Sequence, residues 1–195
     1  MKKSHLKYDV IVDYNKILDS YRLVVKNTEH KEKLDKYNLF LSSNLIDIYN
    51  ELNSKCYYHG KYNIFLIKDP KYRIIMSENL KDKIVNQMVS EHILKPVIEP
   101  RLIDSNCATR KDMGTKHAFN LCKKYLLKLK RENKDIYVLK FDIKKYFYNI
   151  DHDVLIDKLK KIYVDKDIID LLTNIIYSSN SSYVNKEIDT IINRE

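Results

Sequence analysis

The chain has 195 residues, 44% of them hydrophobic and 32% charged, with a formal net charge of +9. That is length and apolar content for a real core in one domain or a large piece of a longer protein, and no run is long enough for a membrane span. Only two glycines occur, Gly60 and Gly114, which excludes a Gly-rich phosphate loop.

The opening MKKSHLKYDVIVDYNK lacks the apolar core of a signal peptide, so a cytoplasmic protein is expected. A first helix carries Ile17, Leu18, Tyr21, Val24 and Val25 on one face. A longer second helix runs through Leu34, Leu41, Leu45, Ile48 and Leu52 at helical steps. Tyr62 to Ile67 reads as a strand, Asp69-Pro70 punctuates it, and Tyr72 to Met76 resumes it. The pair predicts a hairpin whose tip bears Lys68, Lys71 and Arg73. Ser77 is the expected N-cap of a helix with Leu80, Ile84, Met88 and Val89 inward, ending before Pro96.

After an irregular stretch, Gly114-Thr115 opens a helix with Ala118, Leu121, Cys122, Tyr125, Leu126 and Leu129 on one face. Lys123, Lys124, Lys128 and Lys130 lie mostly outside that face. The segment YVLKFDI, Tyr137 to Ile143, alternates apolar and largely polar residues and predicts a strand. Asp151 is the expected cap of a helix with Leu155, Leu159 and Ile162, and another helix covers Lys166 to Tyr177. The tail SSNSSYVNKEIDTIINRE is expected to be a loop entering an edge strand. The three cysteines, Cys56, Cys107 and Cys122, are far apart and lack close His partners, which predicts reduced, partly buried thiols rather than disulfides or a zinc site.

Between Arg110 and Lys145 twelve Lys/Arg stand against four Asp/Glu, the electrostatic footprint of a polyanion partner. A solvated basic face accounts for the same count equally well. Asp142 closes the predicted strand, where a carboxylate can hold a hard cation such as Mg²⁺ with water and phosphate oxygens. The amides of Lys144 to Phe147 would curl past the same point and cradle phosphate. A solvated or capping aspartate is the commoner occupant of such a position.

The wider pattern adds to these residues. FDIKKYFYNIDHDVL resembles the bacterial reverse transcriptase motif in which the first catalytic aspartate ends a palm strand. KYRIIMSENLKDKIVNQMVSEHILKPVIEP resembles the fingers hairpin and its following helix, and SNCATRKDMGTKHAFN the next block, where an Arg precedes a Gly-Thr helix start. The three occur in order and cover about Tyr62 to Ile162, with the group II intron, retron and diversity-generating-retroelement branch the nearest in pattern.

The resemblance implies an α+β right-hand polymerase piece: a helical N-terminal segment over 1–60, fingers over 61–135, and the start of the palm over 136–195. It implies RNA-directed DNA synthesis on an RNA template, with a DNA or RNA primer, dNTPs and two Mg²⁺ ions, or Mn²⁺ in their place. Asp142 would be catalytic and a metal ligand, with the Ile143 carbonyl as a second ligand. Lys71, Arg73, Arg110, Lys144, Lys145, Tyr146 and Phe147 would meet the dNTP, with Phe147 sensing its sugar. Lys111, Lys116, Lys123, Lys124 and Lys128 would meet nucleic acid, and His152 would be structural. No adjacent Asp-Asp pair occurs anywhere, so the second metal-binding motif and the thumb are expected downstream, and the chain alone is expected not to polymerise. The alternatives are a reverse-transcriptase-like phage-defence protein and a non-catalytic, maturase-like RNA-binding module.

Overall fold

In the computed structural model, the described residues are 3–29, 31–68, 70–132 and 135–193. The predicted turn residue Asp69, the basic tip at Met1 and Lys2, and the last two residues of the expected edge strand lie outside them. The chain divides into two units. One combines residues 1–95 with 151–195, and the other spans 96–150.

The first unit begins with a short turn, α1 (Tyr8–Ile11), and the amphipathic helix α2 (Tyr14–Lys26). Asp13 caps α2 by accepting from the amides of Asn15 and Lys16, satisfying two of the donors a helix start leaves open. The second predicted helix is two: α3 (Lys31–Asn38) and α4 (Leu41–Asn53). The break falls at Leu39 and Phe40, which are 76% and 68% exposed and bring no apolar stripe to hold a continuous helix. Asn44 stabilises it by donating its side-chain amide to the Tyr37 carbonyl at 2.9 Å.

The hairpin forms as predicted, with β1 (Asn63–Lys68) antiparallel to β2 (Tyr72–Ser77), Ile67 facing Arg73 and Phe65 facing Ile75. Helix α5 (Leu80–Val89) follows. Its cap is Asn79, which accepts from the Asp82 amide, rather than Ser77, which is the last paired residue of β2. Nor does the helical path end before Pro96. A π-helical turn (Ser90–Leu94) leads into α6 (Lys95–Ile98) and a 3-10 turn (Glu99–Arg101). Proline deprives the preceding turn of a donor and crowds it, and the wider π turn takes up both effects.

Helix α8 (His152–Ile162) starts on the predicted cap, with Asp151 accepting from the Val154 amide, and α9 (Lys166–Ser178) follows. The tail is not an edge strand. It is a helix, α10 (Ser182–Ile192), that packs on β1. Val184, Ile188 and Ile191 are spaced for one helical face, and Val184 is fully buried.

Ile17, Leu45, Ile48, Leu52, Ile84, Val85, Met88 and Ile168 are completely enclosed in this unit. Two tyrosines tie it across long sequence separations: Tyr8 donates to the Leu52 carbonyl at 2.7 Å, and Tyr163 to the Ile93 carbonyl of the π turn at 2.8 Å.

In the second unit the helix predicted from Gly114-Thr115 forms as α7 (Thr115–Arg131), with Gly114 at its N-cap. None of its residues is buried, including the predicted apolar face. The predicted strand over 137–143 does not form. Tyr137, Leu139 and Phe141 are 90%, 83% and 80% exposed, and the only sheet among the described residues is the β1–β2 hairpin. An alternating pattern becomes a strand when a neighbouring edge offers hydrogen bonds and a face to cover, and no strand pairs with 137–143 among the described residues. Cys56 and Cys122 are exposed and Cys107 is half-buried, so the thiols are free but mostly not sheltered.

Candidate active site

Asp142 lies in the extended segment of the second unit, exposed to solvent. The chain then turns sharply. Lys145 adopts the left-handed conformation at φ 53°, and Tyr146–Asn149 form a 3-10 turn. A non-glycine residue there carries strain that local bonds must offset. The Tyr148 amide donates to the Lys145 carbonyl at 3.1 Å, and the Asn149 side chain donates to the carbonyls of Lys145 at 3.0 Å and Lys144 at 3.4 Å. Asn149 therefore shapes the turn, a role that its place after an aromatic run did not announce.

The first amides of a 3-10 turn have no acceptor inside it, so those of Tyr146 and Phe147 are left without a partner within the turn. Phe147 is 83% exposed, its ring edge-to-face with Tyr146 at 5.3 Å, so it is not a core residue. The donor set at Asp142 and the Ile143 carbonyl consists of hard oxygens and suits Mg²⁺ with water and phosphate completing the shell. Among the described residues no cluster of three or more metal-binding side chains occurs.

The remaining predicted residues fall into three places. Lys71 and Arg73 belong to the first unit, exposed at the hairpin turn and on β2. By register Arg73 shares a side of the hairpin with Phe65 and Ile67, which are 40% and 37% exposed. In the second unit Arg110 donates from Nη1 to the carbonyls of Ile103 at 3.3 Å and Asn106 at 3.2 Å. Part of its guanidinium is therefore spent on loop structure, flanked by Thr109 and Asp112 at positive φ, while Lys111 beside it is exposed. On α7, Lys116, Lys123, Lys124 and Lys128 are exposed. Lys124, Lys128 and Arg131 succeed one another at helical spacing and, with Lys123, Tyr125 and Leu127, line a shallow concavity.

His152 is half-buried, edge-to-face with Tyr177 at 5.8 Å, beside the cap Asp151. Both residues serve the start of α8.

The sequence reading also passed over a buried polar cluster in the first unit. Asp82 is fully enclosed, accepting from the Tyr57 hydroxyl at 2.8 Å and the Gly60 amide at 2.9 Å. Burial and the neighbouring Asp82 push the Tyr57 hydroxyl far above the usual phenol range. His59 and Glu78 adjoin it. A lone Asp on an apolar helix face was the available signal, because a buried carboxylate must be partnered.

A model of the reverse transcriptase (RNA-dependent DNA polymerase) family matches residues 67–191, well over half of the chain. The chain belongs to that family. No curated protein matches the sequence. The matched span takes in β2 with Arg73, all of α7, and the Asp142 turn. The fold class is α+β, mostly helical with one small antiparallel sheet. The family is one of nucleotidyltransferases that use divalent metals, nucleic acid and dNTPs. No helix among the described residues is long and apolar enough to cross a membrane.

Proposed function

We propose that this chain is the N-terminal portion of an RNA-directed DNA polymerase of the group II intron, retron and diversity-generating-retroelement branch, working in the cytoplasm. Residues 1–60 form a helical N-terminal segment, 61–135 the fingers and 136–195 the start of the palm. The observation that carries this reading is the exposed carboxylate of Asp142 leading into the 3-10 turn at Tyr146–Asn149 with the exposed ring of Phe147.

Asp142 and the Ile143 carbonyl would hold the divalent cation, Mg²⁺ or Mn²⁺. When bound, the pair of ions would supply Lewis-acid activation of the primer 3′-hydroxyl and charge stabilisation for the departing pyrophosphate. The amides and side chains of Lys144, Lys145 and Tyr146 receive phosphate oxygens, and the Phe147 ring packs against the sugar where a 2′-hydroxyl would clash. Arg73, with Lys71, supplies a fork-shaped cation for the triphosphate. Arg110 keeps its remaining donors for the nucleotide. Lys111, Lys116, Lys123, Lys124 and Lys128 track the phosphates of template and primer. These 195 residues contain no adjacent aspartate pair, so they supply one side of the metal site, and the chain alone is expected to leave a primer unextended.

The test titrates Mn²⁺·dATP into the labelled chain and follows backbone amide signals. Paramagnetic broadening is expected at 142–147 and is lost in Asp142→Asn. Primer–template binding is expected to survive that change, while replacing Lys123, Lys124 and Lys128 with Ala is expected to reduce the slope of log K against log salt by about one per lost phosphate contact. Broadening that spares 142–147, with nucleic-acid binding intact, would overturn the polymerase reading in favour of a non-catalytic RNA-binding module.

A further inference from the structure

The chemistry of His59 is set by what faces its two ring nitrogens. Its side chain is completely buried. Nδ1 lies 2.8 Å from the Gly60 carbonyl, which can only accept, so Nδ1 carries a proton. Nδ1 is also 3.7 Å from Asp82 Oδ2, and Nε2 is 3.7 Å from Glu78 Oε1. Nε2 is buried and has no hydrogen-bond partner. In the neutral tautomer demanded by Gly60, Nε2 and the Glu78 Oε1 3.7 Å away would both be acceptors. Only the doubly protonated ring presents a donor on both sides.

The surroundings on every element agree. Asp82 comes from α5 and Glu78 from the β2–α5 junction. Tyr57 hydrogen-bonds Asp82, and Tyr62 stacks on His59 with ring centroids 4.6 Å apart. The α9 residue Asn174 is uncharged and accepts from the His59 amide at 3.4 Å. From α10 the Tyr183 hydroxyl accepts from the Tyr62 amide at 2.9 Å. Lys83 adds to the downward shift of Glu78. Two carboxylates therefore face His59, and among the described residues the charged groups acting on its ring are these two.

We propose that His59 is a proton-operated lock on the β1–β2 hairpin: as an imidazolium between Glu78 and Asp82 it clamps the strand that carries Arg73, and its deprotonation loosens that strand. The mechanical link is short. Glu78 directly follows β2, and Tyr62 directly precedes β1. Glu78 also accepts from the Asn86 side chain at 2.8 Å, so the junction is held from both sides while His59 is charged.

Burial alone would lower the His59 pKa, but Glu78, the Gly60 carbonyl and Asp82 outweigh it, and the net shift is upward. A raised folded-state pKa contributes stability that is full below the unfolded value, about 6.5, and is lost as pH rises through the folded value. Glu78 is shifted the other way, downward, first by its pairing with His59, so its contribution is lost only as pH falls through its own folded value. The hairpin is therefore tightest in the window between the two.

That Arg73 then meets a triphosphate rests on the polymerase reading; the lock itself does not. The experiment follows the full chain by NMR from pH 5.5 to 9, reading the His59 ring nitrogens and the hydrogen exchange of Gly60 and the β1–β2 amides, corrected for intrinsic rate. The expected result is a His59 titration above 6.5 and about a tenfold loss of hairpin protection across it, absent in His59→Gln. In Glu78→Gln, which also serves should His59→Gln fail to fold, the His59 titration moves down. A His59 titration at or below 6.5, or a protection loss unchanged in His59→Gln, overturns the lock. If the lock holds but Arg73→Ala leaves dATP affinity unchanged, the triphosphate role of Arg73 falls and the lock stands.

Discussion

Helices α2 and α7 are both amphipathic, and their fates differ. In α2 the apolar stripe is spent: Ile17 is fully enclosed and Val24 nearly so. In α7 no residue of the equivalent stripe is buried, and Tyr125 and Leu126 stand 51% and 38% exposed. Periodicity announces which face of a helix wants cover; whether cover arrives is decided by other elements. The two units stand on different forces as a result. The first is held by apolar burial and by hydrogen bonds across long sequence separations, such as Tyr57 to Asp82. The second is held by local bonds, such as Arg110 to the carbonyls of Ile103 and Asn106 and Asn149 to Lys145. Each large apolar side chain left in water forgoes about 1.5–3 kcal/mol, so the exposed run at Tyr137, Leu139 and Phe141 is a substantial stabilisation not taken up.

The largest expected effect sets one methionine against one leucine. Met88 is fully enclosed, and Met88→Ala is expected to cost about 2–5 kcal/mol in denaturant unfolding of the first unit. Leu129→Ala on α7 is expected to stay within about 0.5–1 kcal/mol, because there is little packing to lose. Equal costs would mean that α7 is covered in solution and would break the comparison.

A smaller effect is expected at Gly60, where the constraint is close approach rather than conformation. A Cβ there would lie 2.5 Å from Asn79 Nδ2 and 2.8 Å from Asp82 Oδ2. Gly60→Ala must push apart the helix cap and the buried carboxylate, costing about 1–3 kcal/mol. Gly114 offers the control, since a Cβ there meets nothing within 4 Å. If thermal melts of the two alanine variants coincide, the Asp82 cluster is looser than its hydrogen bonds imply.

This contrast also explains what could be read from residues alone. The helices with a buried stripe, the hairpin and the caps at Asp151 and Gly114 were legible because local pattern and tertiary outcome agree there. The strand over 137–143 was misread because alternation describes a face without supplying a neighbour. The helix through Pro96 was missed because the compensating π turn has no sequence mark. In the tail, expected as a loop entering an edge strand, the Val184, Ile188 and Ile191 spacing on β1 makes α10 instead. The motif singles out Asp142, Arg73 and Phe147 for their proposed roles by order and spacing. It could not show Arg110 half-occupied by carbonyls or Asn149 closing the turn, since both depend on loop geometry.

The smallest expected effects lie at the helix caps, and they separate the two units most sharply. Asp13 accepts two amides at the start of α2, so Asp13→Ala is expected to cost about 1 kcal/mol. Because α2 packs against α4 and α5, that loss is expected in the unfolding of the whole first unit. At α7 the cap position is Gly114, which offers no side-chain acceptor. Its extended backbone, φ −100° and ψ −162°, is one that any residue adopts. Gly114→Asp therefore supplies an acceptor and a negative charge at the positive end of the dipole, a gain of a few tenths of a kcal/mol. With so little of α7 buried, the gain is expected in the hydrogen exchange of its first-turn amides while the denaturant midpoint of the first unit stays put. A shift of that midpoint would show the two units unfolding together, and the division of forces between them would fall.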